Sequence, residues 1–409
     1  CSSDLANHST SAEMTDFSHT PVGPASEGIK TPESAGWTPV NVWEYEKHAA
    51  MKLDKNAFDY YASGANDMIT LRENRAAFTR LRMRPRILRN VENVDMTTTV
   101  LGDEVSMPIL LSPTAMQQMA HIEGEKATAR AAKKAGTLMT LSSWSTLPLE
   151  EVAEAAPGGL RWFQLYVYKD RDVTLQLIRR AEAAGYKALA VTVDTPVLGR
   201  READIRNSFA LPGHLTMGNF TSTGGDHASG TKNAAGGGSG LAKYVSSLID
   251  KTLSWDDIQW LRKVSSMKIV VKGVMSAEDA EIACQNGVDG ILVSNHGARQ
   301  LDTVPATIEI LPEVVKAVNG RCEVYLDGGV SRGLDAFKAL AMGAKAVLIG
   351  RAYVWGLVHS GEDGVSNVLN LLKDELAMAL RLCGCVSLAD IRPEMVTHQS
   401  HYYTNHAKL

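Results

Sequence analysis

Residues 290–303 read GILVSNHGARQLDT: the apolar run Ile291 to Val293 ends at once in Ser294, Asn295, His296, Arg299 and Asp302. Histidine titrates near neutrality, so His296 is the candidate base for proton abstraction. Asp194, at the end of a second apolar run in VTVDTP, is the candidate group to orient that imidazole and stabilise its charged form. Arg299 and Arg201 add two planar, bidentate forks of the kind that hold a carboxylate. Asp302 receives no role.

A second set of residues points to phosphate. Gly328-Gly329 and Gly350-Arg351 each follow a further apolar run. Glycine lets backbone N–H groups approach an anion, and Arg351 adds a bidentate charge. Glycines that serve only as turns are the plain alternative, but the two pairs together imply a phosphorylated cofactor or substrate. Lys272 ends the run KIVVKG, so its ammonium sits in a confined place. It could stabilise negative charge on a reduced cofactor ring, form a Schiff base, or simply be a salt-bridged structural lysine.

The elements that must position these groups are short apolar runs separated by helical segments. The runs are Pro108–Ser112, Thr137–Leu141, Arg161–Val167, Ala188–Val193, Lys268–Val271, Gly290–Val293, Glu323–Leu326 and Ala346–Ile349. Runs of this length suit strands buried on both faces. Glu123–Ala135, Asp172–Ala184, Ala277–Gln285 and Gly333–Met342 read as helices between them. Eight such units predict a (β/α)8 TIM barrel, with an open doubly wound sheet as the alternative. In the barrel, active sites form at the C-terminal strand ends. The polar residues collect there: Pro113, Thr114 and Ala115; Ser142 and Trp144; Gln164 and Tyr166; Thr192 and Asp194; Lys272; Ser294 and His296; Asp327; Arg351.

Ahead of the barrel, Val42, Tyr45, Ala49 and Ala50 form one helical face, and FDYYASGA predicts a second helix ending at Gly64. Residues 1–36 are polar and aperiodic, which predicts a disordered extension; residues 37–390 form the barrel domain and 391–409 a tail. Between Val193 and Lys268 lies a long Gly-rich insertion, TSTGGDHASGTKNAAGGGSG, expected to be a mobile lid or surface insert over the active-site face.

Hydrophobic residues make up 44% of the 409 and charged residues 22%, enough for a large core. A formal charge of -4 with interspersed signs argues against nucleic acid or a membrane surface as partner. The five cysteines lack paired spacing and read as reduced thiols, with no metal site. The first residue is Cys1, an incomplete or processed end. Ala407-Lys408-Leu409 is similar to a peroxisomal signal, which implies an import receptor as partner and otherwise a cytoplasmic location.

The motifs DYYASGA (59–65), PTAMQ (113–117), TLSSW (140–144), FQLYVYKDR (163–171), TVDTPVLGRREAD (192–204), VSNHGARQLD (293–302) and LDGGV (326–330) resemble the FMN-dependent 2-hydroxy acid oxidases. The likeness runs from about Val42 to Leu388. It implies an FMN-bearing barrel that oxidises short (S)-2-hydroxy acids, glycolate above all, and passes electrons to O2 to give hydrogen peroxide. It implies that His296 accepts the substrate's proton with Asp194 behind it, and that Arg201 and Arg299 hold the carboxylate. Tyr60 and Tyr166 contact the substrate, Tyr166 as part of the catalytic set. Lys272 falls near the flavin N1–C2 edge, which turns its reading away from the Schiff base. Pro113, Thr114, Ala115, Ser142, Gln164, Thr192 and Ser294 line the ring and ribityl chain. Asp327, Gly328, Gly329, Val330 and Ser331, with Gly350 and Arg351, hold the ribityl and phosphate. A homo-oligomer, tetrameric or larger, is implied as well.

Two positions depart from the family pattern. Ser331 stands where Asp-Gly-Gly-Val is usually followed by arginine, with Arg332 one step later, and Ala352 replaces the proline of Gly-Arg-Pro. Loss of a phosphate-facing arginine would weaken FMN retention unless Arg332 or backbone amides compensate, and binding is expected to survive because Arg351 remains. Trp144 would crowd long side chains and favour glycolate or lactate. The alternatives are a lactate oxidase or dehydrogenase of the same family and, in another class, a non-catalytic barrel kept for binding.

Overall fold

The computed structural model describes residues 37–223 and 248–406, and the folded body is built from Pro39 onward. Its centre is a closed barrel of parallel strands: β4 (Ile109–Leu111), β5 (Met139–Ser142), β6 (Arg161–Leu165), β7 (Ala188–Thr192), β8 (Lys268–Val274), β9 (Gly290–Val293), β10 (Glu323–Leu326) and β11 (Ala346–Ile349). β11 closes onto β4, with Val347 beside Ile109 and Ile349 beside Leu111. All eight expected strands are present within one to three residues, and the open sheet is excluded. The four expected helices run Gly124–Lys134, Arg171–Ala183, Ala277–Gln285 and Gly333–Ala341.

Two small sheets finish the body. An antiparallel hairpin, β2 (Thr98–Val100) and β3 (Asp103–Val105), turns at Leu101-Gly102, both with positive φ (51° and 92°), the twist that two-residue hairpins favour. Val100 and Val105 pack with Leu110, Trp162 and Tyr325, so the hairpin plugs the N-terminal end of the barrel. β1 (Leu81–Met83) pairs with β12 (Val396–His398), Leu81 beside His398. Residues 396–398, counted above with the tail, are therefore tied to the body.

Three helices precede the barrel. α1 (Val42–Lys52) buries Val42, Tyr45 and Ala49, but Ala50 faces solvent, a correction to the expected face. α2 (Lys55–Ala62) is capped by Asp54 and ends at Ser63 rather than Gly64. α3 (Ile69–Arg80) has no side-chain cap of its own; the Asp302 carboxylate accepts from the Ile69 and Thr70 N–H groups (3.2 and 2.9 Å). That is the role of Asp302: it holds the start of a helix against the chain that follows β9.

The insertion after β7 contains a helix that sequence reading passed over, Trp255–Val264, with a Ser254–Asp257 capping box. It is the barrel helix that precedes β8. The Gly-rich centre of the insertion and the Ala407-Lys408-Leu409 end lie outside the described residues, as does the N-terminal extension. Cys284, Cys322, Cys383 and Cys385 are free thiols. No helix among the described residues is long and apolar enough to cross a membrane, and no group of residues there could hold a metal ion.

Candidate active site

β9 ends in a turn whose residues His296, Gly297 and Ala298 all have positive φ (59°, 60° and 63°). For two residues with a Cβ this conformation is strained, and it persists because the surroundings over-determine it. Asn295 exchanges two hydrogen bonds with the Asn74 amide (2.9 and 2.7 Å), and the Ala298 carbonyl accepts from Ala65 N–H (2.8 Å). The turn points the imidazole of His296 into a cavity at the C-terminal mouth of the barrel.

His296 Nδ1 lies 2.8 Å from Asp194 Oδ1. With Nδ1 donating to the carboxylate, Nε2 is left as the acceptor on the cavity side. Burial would raise the Asp194 pKa, but the charges of His296 and Lys272 and two hydrogen bonds hold it down at about 2. Burial, opposed by Asp194 and aided by Lys272, lowers the pKa of His296 below the usual histidine value. At neutral pH the pair is a carboxylate behind a neutral imidazole. Room for it comes from a bulge in β8 at Gly273 (φ 119°), where an added Cβ would come within 2.7 Å of the Asp194 side chain.

Three arginines surround the C-terminal end of α2. Arg351 donates to the carbonyls of Tyr61 (2.8 Å), Gly297 (3.0 Å) and Ser63 (2.9 Å). Arg299 donates to the Tyr60 and Ser63 carbonyls and lies 4.8 Å over the Tyr60 ring. Arg201 donates to the Arg299 carbonyl (3.2 Å), and its nearest carboxylate, Asp204, is 3.9 Å away and accepts no hydrogen bond among the described residues. Burial, then the neighbouring Arg299 charge, push the pKa of Arg201 down to about 10 and that of Arg351 to about 9. This cluster carries more positive charge than the nearby side chains neutralise, which fits anionic ligands.

Deeper in the cavity, Lys272 Nζ lies 3.0 Å from Ser294 Oγ and 3.8 Å from Asp327 Oδ2. Asp327 Oδ1 is buried without a hydrogen-bond partner among the described residues, as a group does that is set to receive a ligand hydroxyl. Gln164 accepts from Ser143 N–H (3.1 Å) and donates to Thr192 Oγ1 (3.1 Å). The aromatic wall consists of Trp144 against Tyr166 (4.6 Å between centroids) and Tyr60 stacked on Phe209 (4.4 Å). Burial raises the pKa of Tyr60 and Tyr166, so their hydroxyls stay protonated donors.

The cavity collects Tyr60, Pro113, Thr114, Ala115, Ser142, Trp144, Gln164, Tyr166, Thr192, Arg201, Lys272, His296, Arg299, Asp327, Gly328, Gly329, Val330, Ser331, Gly350 and Arg351. Two expected residues stand behind it. Asp194 backs His296, as its orienting role requires. Ser294, expected to face the ring, is fully buried, and its hydroxyl accepts from Lys272 of the cavity and from the His296 N–H (3.1 Å). Arg332 does not compensate for Ser331: it pairs with Glu375 (2.7 Å) and is absent from the cavity wall. Gly329 is glycine for more than anion approach, since its φ is 86° and an added Cβ would fall 1.9 Å from the Asn74 carbonyl.

Sequence reading missed several contributors. Arg75, Asn74 and Leu71 of α3 reach the cavity beside Gly329. Glu125, fully buried, accepts from Gln117 N–H, Thr146 N–H and Thr146 Oγ1 (2.9, 2.8 and 2.7 Å), joining the loops after β4 and β5. Its only sequence signal was a charged residue on the apolar face of a helix.

A family model described as FMN-dependent dehydrogenase matches residues 49–398. Glycolate oxidase of Spinacia oleracea is 60% identical over 351 residues, 86% of this chain and 94% of that protein. Glycolate oxidase 1 of Zea mays is 58% identical over 360 residues (88% and 96%), and 2-hydroxyacid oxidase 1 of Mus musculus 55% over 357 (87% and 96%). The crystal structure of mandelate oxidase with (S)-4-hydroxymandelic acid superposes with a TM-score of 0.83 at 39% identity, covering 88% of this chain and 98% of that one.

Proposed function

The chain belongs to the FMN-dependent dehydrogenase family, and from that membership and the geometry above we propose that it oxidises short (S)-2-hydroxy acids, glycolate first, to 2-oxo acids with O2 as the final acceptor. The observation that carries this reading is a neutral, carboxylate-backed histidine facing a cavity ringed by buried arginines.

The substrate carboxylate is held by Arg201 and Arg299, with Tyr60 and Tyr166 as hydroxyl donors beside it. His296 Nε2 takes the proton, from either the hydroxyl or the α-carbon, and Asp194 stabilises the imidazolium that forms. FMN, when bound, accepts the two electrons of the oxidation and passes them to O2, giving hydrogen peroxide. Asp327, Gln164, Thr192 and Ser142 offer polar partners for its ring and ribityl chain. Arg351 and the Gly328–Ser331 and Gly350 backbone offer partners for its phosphate, and Lys272 would supply positive charge to balance electrons received by the ring. With Ser331 in place of arginine, FMN retention rests on Arg351 and backbone N–H groups; near-zero occupancy after purification with excess FMN would refute this.

Peroxisomal import through Ala407-Lys408-Leu409 and assembly into a homo-oligomer complete the proposal. The test is anaerobic mixing of the yellow holoprotein with glycolate or lactate, then admission of oxygen. The expected result is bleaching, rapid reoxidation and peroxide. Sluggish reoxidation would mark a dehydrogenase with another acceptor, and no bleaching with any 2-hydroxy acid a binding protein.

A further inference from the structure

Trp144 forms part of the cavity wall, yet its one polar atom points away from the cavity. Its Nε1–H donates to the hydroxyl of Tyr168 at 3.1 Å. Tyr168 is fully buried and does not reach the cavity. Its hydroxyl donates onward to Ser143 Oγ (3.4 Å), which contacts the Gln164 amide oxygen (3.4 Å). The Tyr168 ring meets Phe220 edge-on, 5.6 Å between centroids. Its backbone N–H donates to Thr174 Oγ1 (3.0 Å), and the residue bridges to Ile249. Tyr168 is thus held by Phe220 and Ile249, both from the chain between β7 and β8. Burial raises its pKa, which keeps the hydroxyl able both to accept and to donate.

Packing on Tyr166 already confines the Trp144 indole, and the bond at Nε1 adds a directional restraint that favours one rotamer over its neighbours. We propose that Tyr168 is a positioning residue for substrate size. By holding Nε1 it fixes the Trp144 ring against Tyr166, and so keeps the acyl side of the cavity short. This rests on the 2-hydroxy acid reading of the site.

The test uses the FMN-loaded full chain. In Tyr168→Phe, which removes one oxygen, the ratio of kcat/KM for 2-hydroxyoctanoate to that for glycolate is expected to rise about threefold to tenfold, the range of one lost hydrogen bond. In a Trp144→Ala background the same substitution is expected to leave the ratio unchanged. An unchanged ratio in the Trp144 protein, or equal effects in both backgrounds, overturns the proposal. A readout without turnover stands beside it: the ultraviolet resonance Raman difference between the unsubstituted protein and Trp144→Phe isolates the Trp144 indole. A hydrogen-bonded N–H signature supports the lock and a free one rejects it, whether or not Tyr168→Phe folds. Absence of glycolate turnover in the unsubstituted protein would count against the proposed activity and leave the Raman result to judge the lock.

Discussion

Within the barrel, Leu110, Trp162, Val270, Leu292 and Tyr325 point inward and pack as an apolar layer closed by Val100 and Val105. Two residues further along the same strands, the inward positions are Ser112, Gln164, Lys272, Ser294 and Asp327. Side chains alternate across a strand, so these are successive layers of one interior, about 7 Å apart. Both are almost wholly buried, and they differ in kind. The lower layer is apolar except for two atoms: the Tyr325 hydroxyl, which donates to Glu323, and the Trp162 Nε1–H, which has no partner among the described residues. The upper one holds a lysine 3.8 Å from a carboxylate, with the other oxygen of that carboxylate left without a partner. Burial is therefore no guide to which layer is structural. The distinction lies in charge: the upper layer buries a lysine and a carboxylate, and the lower layer buries no ionised group.

Removing the base should break the comparison most sharply. In His296→Gln, flavin bleaching by glycolate under anaerobic conditions should slow by about 10²–10⁴-fold, the usual worth of a positioned base, with little change in thermal stability. The unsubstituted protein adds a sign. His296 must be neutral to accept a proton, and its pKa lies below that of an ordinary histidine. The acidic limb of kcat/KM should therefore fall below about pH 6.5. A limb at or above that value would contradict the buried pair.

The mirror experiment acts one layer down. Trp162→Ala should cost about 3–5 kcal/mol of stability by leaving a cavity, while each folded, FMN-loaded molecule turns over as before. Denaturant unfolding alongside kcat per flavin would separate the two. Lys272→Met tests the upper layer with a side chain of similar volume. Removing one partner of a buried pair leaves the Asp327 carboxylate uncompensated, so stability should fall by up to about 3–5 kcal/mol. Bleaching by substrate should meanwhile slow by about 10²-fold, through loss of a preorganised charge. A variant that keeps its rate would make Lys272 structural.

The alternation explains how much could be read in advance. Short runs bounded by glycine and polar residues marked all eight strands, and the inward positions at their ends marked most of the cavity, because period and position carry that information locally. Contacts set by distant segments were not legible. Arg75 enters the cavity from α3 because that helix docks against Gly329, and Glu125 ties two loops that are neighbours only in the closed barrel. Ser294 stands at an inward strand end, and its hydroxyl accepts from Lys272 of the cavity and from the His296 N–H at the start of the positive-φ turn. The Trp255–Val264 helix was hidden by the Gly-rich stretch before it, although its capping box was present in the sequence.

Asp302 sharpens the division from the other side. It lies six residues after His296, in the same loop, yet it touches nothing that reacts; its oxygens cap α3 through the Ile69 and Thr70 N–H groups. Asp302→Ala should therefore cost about 1 kcal/mol, as loss of a helix cap does, with bleaching by glycolate unchanged. Burial would raise the pKa of this carboxyl, but hydrogen bonds from the Thr70, Ile69 and Thr303 N–H groups outweigh it and hold the pKa below its ordinary value. A carboxyl with a depressed folded pKa contributes fully above the unfolded pKa and loses that contribution as pH falls through the folded one. The stability gap between the unsubstituted protein and the alanine variant should accordingly be constant near neutrality and close only in acid. If the variant instead slowed bleaching as His296→Gln does, the start of α3 would be transmitting to the turn through Asn74 and Asn295, and the line between packing and chemistry would have to be drawn through that amide pair.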